Sequence, residues 1–194
     1  MYEKLKGKLI LASGSPRRRE LLSRMRVPFV VEVSDADEHL AGSPRDVVGV
    51  LAERKARAVA KGHADGLVLA ADTLVSLDDR ALGKPADADD ARRTLRALSG
   101  RGHEVYTGVC LLDAATGEAK VCVEESRVHF RNLSDEEINA YVASGEPLDR
   151  AGSYAIQGGA AGFVTGYEGS YDNIVGLPVG RLMDRYPCLR NPEA

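Results

Sequence analysis

Residues 9–22 read LILASGSPRRRELL, an apolar run, a short Ser-Gly-Ser-Pro turn and a basic segment. The apolar run predicts a short buried strand, and the spacing of Leu21, Leu22 and Met25 predicts a helix after the turn. Ser15 is a good helix N-cap, and Pro16 falls at the first helical position, where its missing N–H costs nothing. This arrangement directs backbone N–H groups and the positive end of the helix dipole at one spot, which suits an anion.

Three arginines, Arg17, Arg18 and Arg19, occupy the first turn of that helix. The helix dipole disfavours cations there, and a helix selected only for stability would carry acidic residues instead. The cluster therefore indicates a polyanion in front of the turn. The alternative is a solvated basic cluster on a surface helix, and this stretch alone leaves both readings open.

Composition limits the functional classes. The chain has 194 residues, of which 44% are hydrophobic and 28% charged, as in ordinary globular proteins. Its net charge is −3, so no overall basic field would attract nucleic acid, and any anion binding must be local. The chain carries no internal repeat and no linker rich in Pro or Ser, which predicts one domain over residues 1–194.

The cysteines and the hydropathy pattern predict a cytoplasmic protein. Cys110, Cys122 and Cys188 are odd in number and widely spaced, with neither a CxxC pair nor a histidine at ligand spacing. This pattern argues against a disulfide framework and against a zinc site, and it fits a reducing compartment. The N-terminus lacks the apolar core of a signal peptide, and no apolar run approaches membrane-spanning length.

The remaining chain reads as alternating strands and helices. Leu67–Leu77 is apolar on both alternations, which predicts a central strand covered on both faces. The glycine-rich last third contains interleaved aromatic and β-branched residues, and we expect ordered, twisted strands there. Other strands are predicted at 28–33, 103–113 and 120–131, and helices at 43–61, 87–98, 134–144 and 178–186.

Three polar features interrupt these apolar patterns. Lys55 projects near the middle of the apolar face of its helix, so it either extends to an edge or needs a buried anionic partner. Asp72 lies within the central strand, either at a bulge that satisfies local backbone or as a general base or metal ligand. The acidic loop that contains Asp35, Asp37 and Glu38 is either solvated or a divalent metal site.

Together these features indicate phosphoryl or nucleotidyl hydrolysis, because cations for phosphates stand beside carboxylates for Mg²⁺. There is no GxxxxGK[ST] motif, so the chain is not a P-loop protein. No GxSxG motif or Cys/His pair suggests a covalent nucleophile. The four histidines show no ligand spacing, which disfavours zinc-dependent hydrolysis.

Short motifs are spread over nearly the whole chain. They are LASGSPRR (11–18), ERKA (53–56), ADT (71–73), LGKP (82–85), LSGR (98–101), EPLDRAG (146–152), YAIQG (154–158) and GSYDNIVGLP (169–178). Each motif is weak alone, but the set in this order is highly specific. The set resembles that of the Maf family of nucleoside triphosphate pyrophosphatases.

The resemblance implies an α/β fold, with a strongly twisted mixed sheet flanked by helices and a cleft between two lobes. It implies metal-dependent hydrolysis of a nucleoside triphosphate to the monophosphate and pyrophosphate, with Mg²⁺ or Mn²⁺ as the cation. Asp72 matches the family's proposed catalytic acid/base residue and, with Glu38, would hold the cation. The implied substrate-binding residues are Ser13, Arg18, Lys55 and Lys84.

Three further positions separate subgroups of the family, and here they read Arg17, Thr73 and Gln157. This combination resembles the subgroup that acts on dTTP and UTP, including modified pyrimidine nucleotides. The alternatives are a 7-methyl-GTP-type enzyme, expected to carry Trp at the Arg17 position, and a non-enzymatic nucleotide-binding regulator of cell division. The expected partner is a nucleoside triphosphate, with no nucleic acid or membrane, and the sequence leaves monomer and homodimer open.

Overall fold

The computed structural model of the chain describes residues 8–189 and contains the predicted strand, turn and helix. Strand β1 spans Leu9–Leu11, and helix α1 spans Pro16–Ser23. The Ser15 hydroxyl accepts a hydrogen bond from the Arg18 backbone N–H at 3.4 Å, as an N-cap should. The predicted N-cap and the predicted first-turn proline are therefore confirmed.

Seven strands and six α-helices form the described part of the chain. The other strands are β2 (Phe29–Val31), β3 (Leu67–Leu77), β4 (Arg80–Leu82), β5 (Gly102–Asp113), β6 (Ala119–Phe130) and β7 (Val164–Glu168). The other helices are α2 (Pro44–Ala60), α3 (Ala88–Leu98), α4 (Asp135–Ala143), α5 (Tyr171–Val175) and α6 (Val179–Arg185). Short 3₁₀ turns lie at Glu146–Asp149, Ala151–Ser153, Gly159–Phe163 and Pro187–Leu189.

The strands form one mixed sheet in the order β2-β1-β3-β5-β6-β7, with β4 paired to β3 outside this path. β1 pairs in parallel with both β2 and β3, and all other pairs are antiparallel. This confirms the mixed α/β sheet that the motifs imply. The apolar run predicted as a central strand is β3, which lies in the middle of the sheet and is buried on both faces over most of its length.

The core divides where β3 changes from apolar to polar. Leu67–Ala71 packs in a first core, between α2 on one face and α1 with α6 on the other. Val75 and Leu77 belong to a second core, closed by α3 and α4. Asp72 and Thr73 lie on β3 between the two cores, so one continuous strand carries polar residues into the space between two lobes.

Gly108 on β5 allows α2 to lie directly on the sheet. It pairs with Asp72 across the β3–β5 ladder. A Cβ at this position would overlap the backbone carbonyl of Val48 and lie 2.6 Å from the backbone nitrogen of Gly49, both in α2. Because glycine lacks that atom, helix backbone and strand backbone touch, and the α2 side chains reach the middle of β3.

The predicted strands of the last third are mostly wrong. Only Val164–Glu168 is a strand, and the flanking residues form 3₁₀ turns and the short helix α5. Gly152 shows the physical reason, because its φ of +66° turns the chain sharply inside one of these segments. Tyr154 and Phe163 are buried, but they reach the second core from turns rather than from a sheet.

None of the helices within residues 8–189 is long and apolar enough to cross a membrane.

Candidate active site

A cleft of about 550 Å³ lies between the two lobes, beside the polar middle of β3. Its wall is built from separate parts of the chain: the turn before α1, the acidic loop, α2, β3, the loop after β4, β5, the segment 149–157 and the end of α5. The structure brings to this wall every residue that the family resemblance assigns to the site. These residues are Ser13, Arg17, Arg18, Glu38, Lys55, Asp72, Thr73, Lys84 and Gln157.

Lys55 and Asp72 form a buried ion pair at the base of the cleft. Lys55 Nζ lies 2.6 Å from Asp72 Oδ1 and 2.9 Å from Glu38 Oε1. The Lys55 and Asp72 side chains are only 11% and 10% exposed, whereas Glu38 is 64% exposed at the rim. The expected buried anionic partner of Lys55 is confirmed, and the mutual pairing offsets the cost of burying each charge.

The carboxylates of Asp72 and Glu38 suit a hard divalent cation. Lys55 contacts one oxygen of each, and within the described chain no protein donor occupies the other. Among residues 8–189 no group of three or more His, Cys, Asp or Glu side chains could hold a metal by itself. Two carboxylates with substrate phosphates are how Mg²⁺ is commonly held, so this donor set fits a cation that arrives with a polyphosphate.

Arg18 is anchored in the wall by protein acceptors. Its Nε donates to the Gly176 carbonyl at 2.9 Å, Nη1 to Ser13 Oγ at 3.3 Å and Nη2 to Thr73 Oγ1 at 3.0 Å. Burial lowers the pKa of Arg18, against the raising effect of the Asp72 carboxylate, and arginine remains charged. Each terminal nitrogen keeps one further N–H for a ligand in the cleft.

A chain of hydroxyls supports Arg18 from behind. Thr107 is fully buried and donates to the Asn173 carbonyl at 3.0 Å, so its only proton is used. Thr73 Oγ1, 3.0 Å away, must therefore donate to Thr107 while it accepts from Arg18. The Thr73 hydroxyl has no proton left for a substrate and can only accept from one.

We expect Thr107→Val to remove the hydrogen bonds of Thr107 while it keeps nearly the same side-chain shape. The Asn173 carbonyl and the Thr73 hydroxyl would each lose a buried partner, which should cost about 1–3 kcal/mol of unfolding free energy. Tripolyphosphate binding, measured by calorimetry, should weaken several-fold because Arg18 loses its fixed orientation. Thr107→Ser keeps the hydroxyl and should bind almost as the parent does. Equal binding by the Val variant would show that the hydroxyl chain does not position Arg18.

Arg17 and Lys84 face the side of the cleft formed by the 3₁₀ turn at Glu146–Asp149. Lys84 Nζ lies 2.6 Å from Asp149 Oδ1, and this hydrogen bond lowers the pKa of Asp149. Both partners are mostly exposed, so the pair is weak and open to exchange with an anionic ligand. Burial lowers the pKa of Arg17, and the charge of nearby Arg150 lowers it further.

Of the remaining predicted residues, some line the cleft and others are exposed to solvent. Ser13 is buried and accepts from the Ser15 backbone N–H at 3.2 Å, which shapes the turn before α1. Gln157 is exposed at the rim. Of the three acidic residues in the loop, only Glu38 lines the cleft, and the exposed Asp37 instead accepts hydrogen bonds from the backbone and ring of His39.

The sequence interpretation assigned no role to Asp149, Arg150 or Tyr154, although all three line the cleft. A charged pair after a proline turn is usually solvated, so the local sequence does not indicate a role for Asp149 or Arg150. The signal that could have found them is their position within the motif EPLDRAG (146–152).

The fold and the cleft define an α/β protein with a central site built for a polyanion. A family model described as "Maf-like protein" matches residues 8–186, and the chain belongs to this family. A dTTP/UTP pyrophosphatase of Pelotomaculum thermopropionicum is 50% identical over 178 residues, covering 91% of this chain and 93% of that protein. The corresponding protein of Bacillus cytotoxicus is 51% identical, with 91% and 92% covered.

Proposed function

We propose that this chain hydrolyses dTTP and UTP to the monophosphate and pyrophosphate. The observation that carries the proposal is the Lys55–Asp72 ion pair, in which a buried carboxylate opens onto a cleft lined with further cations. Buried carboxylates beside phosphate-binding cations are what hydrolysis of a phosphoanhydride requires. The curated relatives that are about half identical in sequence are named for this activity, which supports the same assignment.

In the proposed mechanism Asp72 orients a water molecule and accepts one of its protons. The water oxygen bonds to the α-phosphorus, and the bond from that phosphorus to the oxygen bridging to the β-phosphorus breaks. Pyrophosphate leaves with the electron pair of that bond, and the α-phosphate remains on the nucleoside. Lys55 holds the Asp72 carboxylate in place through its 2.6 Å hydrogen bond, which fixes the direction in which the free oxygen points.

Asp72 and Glu38 would hold Mg²⁺ or Mn²⁺, because their carboxylate oxygens suit a hard cation. Such a cation, when bound, supplies positive charge against the charge that develops on the phosphate oxygens. Arg18 binds the triphosphate with its two remaining N–H groups, and Lys84 exchanges Asp149 for a phosphate oxygen. The backbone N–H groups of Ser13 and Gly14, before the start of α1, serve the same ligand, because the Ser15 N–H already donates to Ser13 Oγ.

Selection of the base falls to Gln157, with Arg17 and Thr73. The Gln157 amide both donates and accepts, which suits the edge of a pyrimidine. The Thr73 hydroxyl is bonded to Arg18 and Thr107, so we assign it an indirect part, through the orientation of Arg18. Modified pyrimidine triphosphates belong to the same substrate class. We propose the cytoplasm as the site of the activity, because the substrate is a nucleotide.

A panel of triphosphates tests the proposal. Pyrophosphate release should be measured for dTTP, UTP, CTP, GTP and 7-methyl-GTP with Mg²⁺ or Mn²⁺, and again with EDTA. We expect dTTP and UTP to exceed 7-methyl-GTP by about tenfold or more in kcat/KM, and EDTA to abolish release. A preference for 7-methyl-GTP would overturn the substrate assignment. Nucleotide binding with no pyrophosphate release from any member would instead favour the non-enzymatic regulator.

A further inference from the structure

The charges that line the cleft fall into two groups. Lys55 and Arg18 stand with Asp72 and Glu38, so this group is neutral as a whole. The second group contains the basic residues Arg17, Lys84 and Arg150 and the single acidic residue Asp149. The cleft therefore has a local excess of positive charge on the side away from Asp72, in a chain whose net charge is −3.

Arg150 is the cation of that second group that carries a buried nitrogen without an acceptor in the described chain. Its Nε is buried and has no hydrogen-bond partner among residues 8–189. Its Nη1 lies 3.5 Å from the Asp149 carbonyl and 3.7 Å from Asp149 Oδ2, both on the adjacent residue and both long. The Asp149 carboxylate is bound more closely by Lys84, at 2.6 Å. A buried guanidinium donor without an acceptor is costly, so it points to an acceptor supplied from outside the chain.

The backbone holds Arg150 in this position. The Arg150 N–H donates to the Pro147 carbonyl at 3.1 Å, and the Gly152 N–H donates to the Gly83 carbonyl at 3.1 Å. The second bond joins the segment to the loop that carries Lys84. Gly152 also packs against Val75 on β3, where a Cβ would lie 2.8 Å from the valine Cβ. Arg150 and Lys84 are therefore presented together by connected backbone.

We propose that Arg150 is a further substrate-binding residue that holds the pyrophosphate end of the triphosphate, together with Lys84. The proposal rests on the function proposed above, in which the α-phosphorus lies beside Asp72. The neutral group then serves the reacting centre, and Lys84 and Arg150 of the positive group serve the β- and γ-phosphates, which carry most of the substrate's charge. Arg17 keeps the part in base selection proposed above. The guanidinium fork of Arg150 suits two phosphate oxygens at once.

Calorimetric binding in EDTA tests this without turnover, with inorganic pyrophosphate and dTMP as the two probes. Arg150→Gln should weaken pyrophosphate binding by about tenfold or more, as expected for loss of a charged hydrogen bond. It should leave dTMP binding within about twofold, because the α-phosphate is held elsewhere. Arg150→Lys should restore part of the loss. Arg19→Gln makes the same change on α1 at an exposed residue outside the cleft wall and should match the parent.

Two results would overturn the assignment: unchanged pyrophosphate binding by Arg150→Gln, or equal weakening of pyrophosphate and dTMP. Thermal unfolding of each variant confirms that the comparison is made between folded proteins. The outcome is separable from that of the proposed function. A parent protein that binds pyrophosphate through Arg150 but releases none from dTTP or UTP would refute the activity and leave the binding residue in place.

Discussion

Asp72→Asn should reduce pyrophosphate release from dTTP by about a thousandfold, within the range by which a positioned acid or base accelerates proton transfer. The asparagine amide has nearly the shape of the carboxylate but cannot accept the proton of the attacking water. The substitution also removes one of the two carboxylates that suit a divalent cation. Initial rates at saturating dTTP, with inorganic pyrophosphate as the measured product, give kcat directly.

The matched control for Asp72→Asn is Asp37→Asn, which makes the same substitution in the acidic loop, outside the cleft wall. It should release pyrophosphate at the parent rate. Since Asp72→Asn leaves the buried ammonium of Lys55 with only Glu38 as a carboxylate partner, its unfolding midpoint must be recorded beside its activity. A folded Asp72→Asn protein with the parent rate would exclude Asp72 as the catalytic base.

Gly108→Ala should be among the most destabilising single substitutions in the protein. The new Cβ would fall on backbone atoms of α2, which no rotamer change can move aside. Overpacking of this kind costs about 1–3 kcal/mol and occasionally more, and contact with backbone places this site at the upper end. Urea unfolding monitored by far-UV circular dichroism would give the change in unfolding free energy.

The control for Gly108→Ala is Gly180→Ala, on the exposed side of α6, where a Cβ meets no atom of the described residues within 4 Å. That variant should be neutral or more stable by up to about 1 kcal/mol, because alanine is the better helix residue. Gly108→Ala should also lose activity at temperatures where it remains folded, because α2 carries Lys55 and would be pushed away from Asp72. Equal stability of the two variants would contradict direct packing of α2 on β5.

Local signals predicted most of the secondary structure. Ser15, Ser43 and Ser134 each cap a helix through hydrogen bonds that involve residues within three positions, so the sequence contains the whole motif. The doubly apolar run of β3 predicted both its length and its central place, because only a strand covered on two faces has that pattern. The prediction of strands in the glycine-rich last third was wrong, because alternation of apolar residues with glycine also fits turns that bury their side chains.

The site was harder to predict than the fold, because its residues meet only through tertiary structure. Lys55 and Asp72 stood out locally, since a charge on an apolar face or strand requires an explanation in the sequence itself. Arg18 and Lys84 were assigned by family resemblance, and only the fold shows what each one contacts. Arg150 has no local mark at all, and its unpartnered nitrogen became visible only in three dimensions.

The continuity of β3 limits how the protein can move. It pairs with β5 from Leu67 to Ser76 without a break in register, through the first core, past Asp72 and into the second. This continuous pair of strands forms the floor of the cleft. Because bending it would break ladder hydrogen bonds, we expect no hinge between the two lobes at this place. We expect any widening or closing of the entrance to come from the rim, through the loop of Glu38 and the turn at Glu146–Asp149. We expect β3 and the Asp72 carboxylate to keep the same position between one substrate and the next.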